Sequence, residues 1–269
     1  MDGMTKKIFT IDVHTHLGPS LVLARSEIER GIKGTPAEVL KTMEKNAMDM
    51  AVVMPHPGYP RPDGIKDTMR INDLVAEAVK DYPEKFPCGL GTVEPLSGDK
   101  CLEEVDRIFK SLKLKGLSLE TLIQGTTTDH PMVFRILERA AKNGKIVAFV
   151  ETGQTNQESW RLGRLAEAFP EMTFINAHPG ITMNDLESSL WLSKKFDNIF
   201  IDTCAWITYG FPFKKAVAAI GADRIVFGDD IPYIDISHDL VRVKLAEISD
   251  HDKELILWKN AAKIFNIER

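Results

Sequence analysis

Eight short runs of apolar, largely β-branched residues recur along the chain, with longer amphipathic runs between them. The short runs are 8–13, 50–54, 87–92, 114–119, 146–150, 173–177, 199–202 and 225–227. Such a run suits a strand buried on both faces, and strands that alternate with helices build parallel βαβ units. Eight units predict an α/β fold closed as a (β/α)8 TIM barrel, one domain over residues 1–269. The rival is an open doubly wound sheet, but no G-x-G-x-x-G or phosphate-binding loop follows an early strand.

Helix signals sit where a barrel needs them. Thr35-Pro36-Ala37-Glu38 reads as a capping box with proline in the first turn. Asp129-His130-Pro131 opens another helix, whose Val133, Ile136, Leu137 and Ala140 share a face and which stops at Asn143-Gly144. Long loops at 17–34 and 55–64 follow the first two strands. In a barrel they lie on the C-terminal rim, where active sites are built.

Composition narrows the partners. At 43% apolar and 27% charged residues the chain is an ordered globular protein. A net charge of −5 gives no electrostatic case for nucleic acid or an anionic membrane. Three scattered cysteines, Cys88, Cys101 and Cys204, predict a reducing compartment rather than a disulfide framework. No run reaches the length of a membrane span, and 1–7 is too short and polar for a signal peptide. The expectation is a soluble, cytoplasmic protein acting on a small molecule.

The chemistry begins at Asp12-Val13-His14-Thr15-His16. Positions i and i+2 of a strand share a face, so His14 and His16 can grip one metal ion, with Asp12 one step deeper on that face. Further ligands are sought at strand tips. His178 follows the sixth strand and Asp230 the eighth, while Glu151 ends the fifth and Glu120 the fourth. If Glu120 faces inward, so do Gly116 and Ser118, and Leu117 and Leu119 face the helices. Each residue alone has a plainer reading. His-x-His can be two exposed polar residues, His178 a bonded core histidine, Asp230 a helix cap and Glu151 a buried acid held by a partner. His-x-His on the first of eight strands, with two matching strand tips downstream, favours a metal centre. Asp229 points away from the axis and suits a structural role. On the rim, His56, Arg61, Trp206, Tyr209 and Tyr233 line a pocket or simply pack loops. His130 reads as a helix start, and His238 and His251 as surface helix residues.

Together these motifs resemble a known family. His-x-His on strand one, Asn176-Ala177-His178-Pro179-Gly180, Phe227-Gly228-Asp229-Asp230 with Ile231-Pro232-Tyr233, and the tail Asn260-Ala261-Ala262-Lys263-Ile264-Phe265 resemble the amidohydrolase superfamily. The nearest branch is the amidohydrolase-related one, amidohydrolase 2. It holds metal-dependent hydrolases and non-oxidative decarboxylases of the aminocarboxymuconate-semialdehyde type. The resemblance implies His14 and His16 as ligands, Asp230 as ligand and proton carrier, and His178 as a ligand or catalytic group. Glu151 stands where the family usually has histidine, and Ser118 where some branches carry a carboxylated lysine. Glu120 keeps a carboxylate-bridged second metal open.

The function expected from this resemblance is a metal-dependent hydrolase of a small amide, lactone or ester. A metal-activated water attacks, with zinc ahead of manganese as the divalent ion. Asp230 moves the proton and His178 polarises the carbonyl. The alternative is a metal-dependent non-oxidative decarboxylase of a small carboxylic acid, with Arg61 or Lys66 holding the carboxylate. An alternative of another class is a catalytically inactive, ligand-binding barrel. The family resemblance is compatible with a homo-oligomer.

Overall fold

The computed structural model describes residues 8–20, 34–179, 182–204, 212–232 and 236–268. Trp206, Tyr209, Tyr233 and the side chain of His238, four of the residues singled out above, lie outside the described part. Eight parallel strands run in sequence order: β1 (Ile11–Leu17), β2 (Met50–Pro55), β3 (Cys88–Gly91), β4 (Gly116–Leu119), β5 (Val147–Glu151), β6 (Thr173–Ala177), β7 (Ile199–Asp202) and β8 (Ile225–Val226). The seam between β8 and β1 is held by Val13 N–H donating to the Phe227 carbonyl at 2.9 Å and His16 N–H to that of Ile231 at 2.8 Å. The expected (β/α)8 barrel is therefore what the chain forms.

Helices follow the strands: α1 (Pro36–Lys45), α2 (Ile65–Asp81), α3 (Asp99–Lys110), α4 (Pro131–Ala141), α5 (Ser159–Ala168), α6 (Met183–Lys195), α7 (Phe213–Ile220), α8 (Ile236–Leu245), α9 (Asp250–Glu254) and α10 (Asn260–Phe265). Thr35 and Glu38 form the expected capping box at α1. His130 caps α4, its Nδ1 accepting the Met132 N–H at 3.1 Å. None of the described helices is long and apolar enough to cross a membrane.

The strands sort their side chains into two layers because successive residues point to opposite faces. Ala51, Val53, Leu117, Leu119, Ala148 and Val150 meet the helices. Val52, Met54, Leu90, Phe149 and Ile175 fill the barrel. Leu117 and Leu119 thus take the predicted side. Each fully buried Leu or Val of this kind contributes about 1.5–3 kcal/mol relative to exposure. Gly116 is needed inside, since a Cβ there would sit 2.0 Å from the Val147 carbonyl oxygen.

The N-terminal end of the barrel is stoppered by α10. Its Ala261 and Phe265 join the inner apolar cluster. Asn260 Nδ2 donates to the carbonyls of Ala222 at 2.8 Å and Ile225 at 2.7 Å, which fixes the entry into β8. The opposite end carries the polar residues.

Candidate metal centre

β1 is longer than the apolar run suggested, and it is not regular. Asp12 pairs with Ala51 and Thr15 with Val53, so three steps on β1 face two on β2. This bulge changes the parity of the strand. Before it, Ile11 and Val13 fill the barrel. After it, His14 and His16 point inward as well. Asp12 pins the bulge rather than joining the ligand face. Its Oδ1 accepts the N–H of His14 at 2.9 Å and of Asp229 at 3.2 Å, and its Oδ2 accepts the Thr15 hydroxyl at 2.6 Å. The expectation of Asp12 one step deeper on the same face is corrected by this extra residue. Burial moves the Asp12 carboxyl up to about 6.

The five sought residues meet at the C-terminal ends of β1, β5, β6 and β8. His14 Nε2 lies 3.2 Å from Glu151 Oε1 and 3.5 Å from Asp230 Oδ1. His16 Nε2 lies 3.1 Å from Asp230 Oδ1, and His178 Nε2 lies 2.8 Å from Glu151 Oε2. All five side chains are buried. The ligating atoms of His14, His16 and Asp230 fall within 4.8 Å of one another.

The rings are oriented by what holds their far sides. His14 Nδ1 is 2.8 Å from Asp202 Oδ2. His16 Nδ1 donates to the Pro55 carbonyl at 3.2 Å. A carbonyl only accepts, so the His16 proton sits on Nδ1 and the Nε2 lone pair faces the cluster, as in metal-binding histidines. Two residues of the centre, His178 at φ 53° and Asp230 at φ 62°, occupy the left-handed region. That conformation costs roughly 1–2 kcal/mol for a residue with a Cβ, and such strain gathers at functional sites. Gly228 lets β8 come this close, since a Cβ there would lie 2.9 Å from Asp202 Oδ2 and 3.0 Å from His14 Cβ.

The donor set fits a divalent cation. His14 Nε2 is buried with no hydrogen-bond partner among the described residues, and it faces carboxylate oxygens. Burial opposes charge on His14, but Glu151, Asp230 and Asp202 overcome it and raise its pKa well above the usual imidazole range. Burial likewise opposes charge on Glu151, and His178 and His14 hold it well below the usual carboxylate range. Asp230 is also depressed, its burial outweighed by His14 and His16. Such a cluster demands positive charge at its centre, and a divalent ion supplies it.

Glu120 stands apart. It accepts from Gln157 Nε2 at 2.7 Å, and burial, with the charge of Glu151, pushes it up to about 8. It joins neither group of ligating atoms found among the described residues. Asp229 is buried too; desolvation and the neighbouring acids Asp12 and Asp239 push its carboxyl up to about 11. Arg61 is committed elsewhere: its donors reach Glu94 Oε1 at 2.8 Å and the carbonyls of Tyr59 and Pro57 at 2.9 and 2.6 Å. Those bonds correct its expected role on a substrate carboxylate, and Lys66 is exposed on α2. His56 lies buried with its ring 5.6 Å from that of His16, and its Nδ1 accepts the Gly58 N–H at 2.8 Å. Burial and the proximity of His16 push His56 down to about 2, so it stays neutral.

Two residues of the site were not singled out from the sequence. Asp202 ends β7 as Glu151 ends β5, so an acid at a strand tip was the signal. Its Oδ1 accepts the backbone N–H of His178 and of Cys204, each at 3.2 Å. Cys204 is fully buried, and its sulfur lies within 4.8 Å of ligating atoms of both His14 and His178. A cysteine far from any other in sequence carries no spacing signal.

Comparison with known proteins adds the family. A family model described as amidohydrolase matches residues 11–267. A 2-amino-3-carboxymuconate-6-semialdehyde decarboxylase of Dictyostelium discoideum is 28% identical over 85 residues, which is 32% of this chain and 23% of that protein. The chain thus aligns with about a quarter of that relative. The crystal structure of 5-carboxyvanillate decarboxylase from Sphingomonas paucimobilis superposes with a TM-score of 0.76 at 18% identity, covering 97% of this chain and 100% of that one. A dihydroxybenzoic acid decarboxylase from Polaromonas sp. JS666, with bound manganese and 2-nitroresorcinol, superposes at 0.77 and 17% identity, covering 98% of each. The hydrolase expectation is corrected by these relatives, which are named as decarboxylases; the motifs are common to both chemistries and do not separate them.

Proposed function

The chain belongs to the amidohydrolase family, and we propose that it is a divalent-metal-dependent, non-oxidative decarboxylase of a small carboxylic acid. The observation that carries this reading is the convergence of three imidazoles and two carboxylates in one buried cluster, in a chain whose relative by sequence is a decarboxylase. His14, His16 and Asp230 would hold the ion, with Glu151 beside them. Carboxylate oxygens in the set suit manganese, the ion bound in three of the similar structures. When bound, the ion supplies a fixed positive charge that orients substrate oxygens and steadies the negative charge developing as CO2 departs.

The protein's own groups handle the proton. Decarboxylation breaks the bond between carbon and carboxyl and leaves its electron pair on carbon, which then takes one proton. Asp230 is a poor donor, because His14 and His16 keep it ionised despite its burial. His178 is the better one. Burial opposes its charge, but the Glu151 carboxylate, 2.8 Å from its Nε2, helps raise its pKa well above the ordinary range. His178 therefore protonates the carbon and regains its proton from solvent. The Phe149 ring, 4.6 Å from that of His14, gives the centre an apolar floor.

Manganese-loaded protein offered a panel of hydroxylated benzoates and carboxymuconate-type acids is expected to release one CO2 per substrate consumed. His178→Asn should lower turnover by roughly 10²–10⁴-fold with manganese still bound. Absence of CO2 across the panel, or full turnover in His178→Asn, removes the assignment.

A further inference from the structure

His14 belongs to two overlapping sets of ligating atoms. One is His14, His16 and Asp230; the other is His14, His178 and Cys204, again with all atoms within 4.8 Å of one another. The second set is built rather than incidental, because a single carboxylate holds all three members. Asp202 Oδ2 meets the His14 ring at 2.8 Å, while its Oδ1 takes the backbone N–H of His178 and of Cys204. Cys204 and the His14 and His178 side chains are all buried, and His14 Nε2 has no hydrogen-bond partner among the described residues. Carboxylates that orient ligands from behind are a regular part of metal sites.

The two sets differ in chemical softness. Imidazole with carboxylate suits manganese, whereas imidazole with thiolate suits zinc, cobalt and cadmium. We propose that this cage has a second coordination mode, in which His14, His178 and Cys204 bind a thiophilic divalent ion such as Zn²⁺ and compete with manganese held by His14, His16 and Asp230. The inference rests on the metal-centre reading of the same cluster. As the metal–sulfur bond forms, the Cys204 thiol gives up its proton to solvent, and no electron changes hands. Because His14 and His178 are drawn to the sulfur side, zinc bound this way also takes His178 away from its task on substrate carbon. Zinc is thus an inhibitor of the manganese enzyme.

The test is spectroscopic and needs no substrate. Metal-free full-length protein is titrated with Co²⁺ and with Cd²⁺, and thiolate-to-metal charge-transfer absorption in the near ultraviolet is recorded. The band should appear with one equivalent, vanish in Cys204→Ser and Cys204→Ala, and persist in Cys88→Ser. Zinc affinity should fall in Cys204→Ser by roughly a hundredfold, while manganese affinity changes less than about threefold. Melting curves of both Cys204 variants confirm that they fold. If cobalt binds without the band, or the band survives loss of Cys204, the sulfur mode is overturned and the oxygen-rich centre stands. If neither cobalt nor manganese binds, both this inference and the metal-dependent function fall together.

Discussion

The two ends of the barrel are built to opposite rules. At the N-terminal end, Phe265 and Ala261 fill the bore with apolar surface, and Asn260 satisfies two backbone carbonyls. At the C-terminal end, three imidazoles and two carboxylates are buried in one cluster, two of its residues at positive φ. The first arrangement stabilises the fold through apolar burial and carbonyls matched by Asn260. The second concentrates buried charge and backbone strain in one place. The same eight strands carry both, so stability and chemistry are separated by about the length of a strand.

This contrast predicts which changes damage what. The largest effect should come from Asp230→Asn, which removes one charge from the centre. CO2 release should fall by about 10³-fold or more, while the melting temperature at neutral pH falls only modestly, since a carboxylate held below its ordinary range favours the native state there. A melting point lowered by many degrees would show that the top of the barrel is structural as well. Phe265→Ala reverses the pattern: urea unfolding should register a loss of about 3–5 kcal/mol, with turnover per folded molecule unchanged.

Chelation comes next. Stripping the ion should abolish turnover and lower stability by about 2.7 kcal/mol relative to protein held at a hundred times the dissociation constant, seen by calorimetry. Equal melting of loaded and stripped protein would break the idea that the top end depends on a cation. Asn260→Ala should cost about 1–3 kcal/mol through two carbonyls left without their donor, again with turnover unaffected. The smallest effect concerns Glu120 in metal-free protein. Burial and Glu151 raise it from 4.5 to about 8, so between these values the native state binds a proton that the unfolded chain has released. Stability from this group therefore falls as pH rises through that window. Glu120→Gln should match the wild type below about pH 4.5 and be the more stable above pH 8. Parallel curves across that range would mean Glu120 is not desolvated.

Much of the scaffold was readable in residue order. The Thr35 and Glu38 cap, the apolar face of α4 and the inward parity of Gly116 depend on neighbours a few positions away, and the structure repeats them. β1 was less legible. Its apolar run ends at Val13, yet the strand continues to Leu17, because the polar residues beyond are buried by contacts from β5, β6 and β8 rather than exposed. Arg61 looked available for a substrate and is instead spent on Glu94. Cys204, read from the sequence only as one of three scattered cysteines, lies against two histidines.

Periodicity, capping and turn chemistry act over one or two turns of chain, so the eight βα units and the candidate ligands at their tips are legible in residue order alone. Only the closed barrel decided which of them meet, because His14 and Asp230 are brought together by ring closure and by a single extra residue in β1. No local rule counts that residue, since a bulge gains its stability from Asp12 reaching across to the backbone of Asp229. Contacts between residues distant in the chain are properties of the assembled fold, and the direction in which His14 points is one of them.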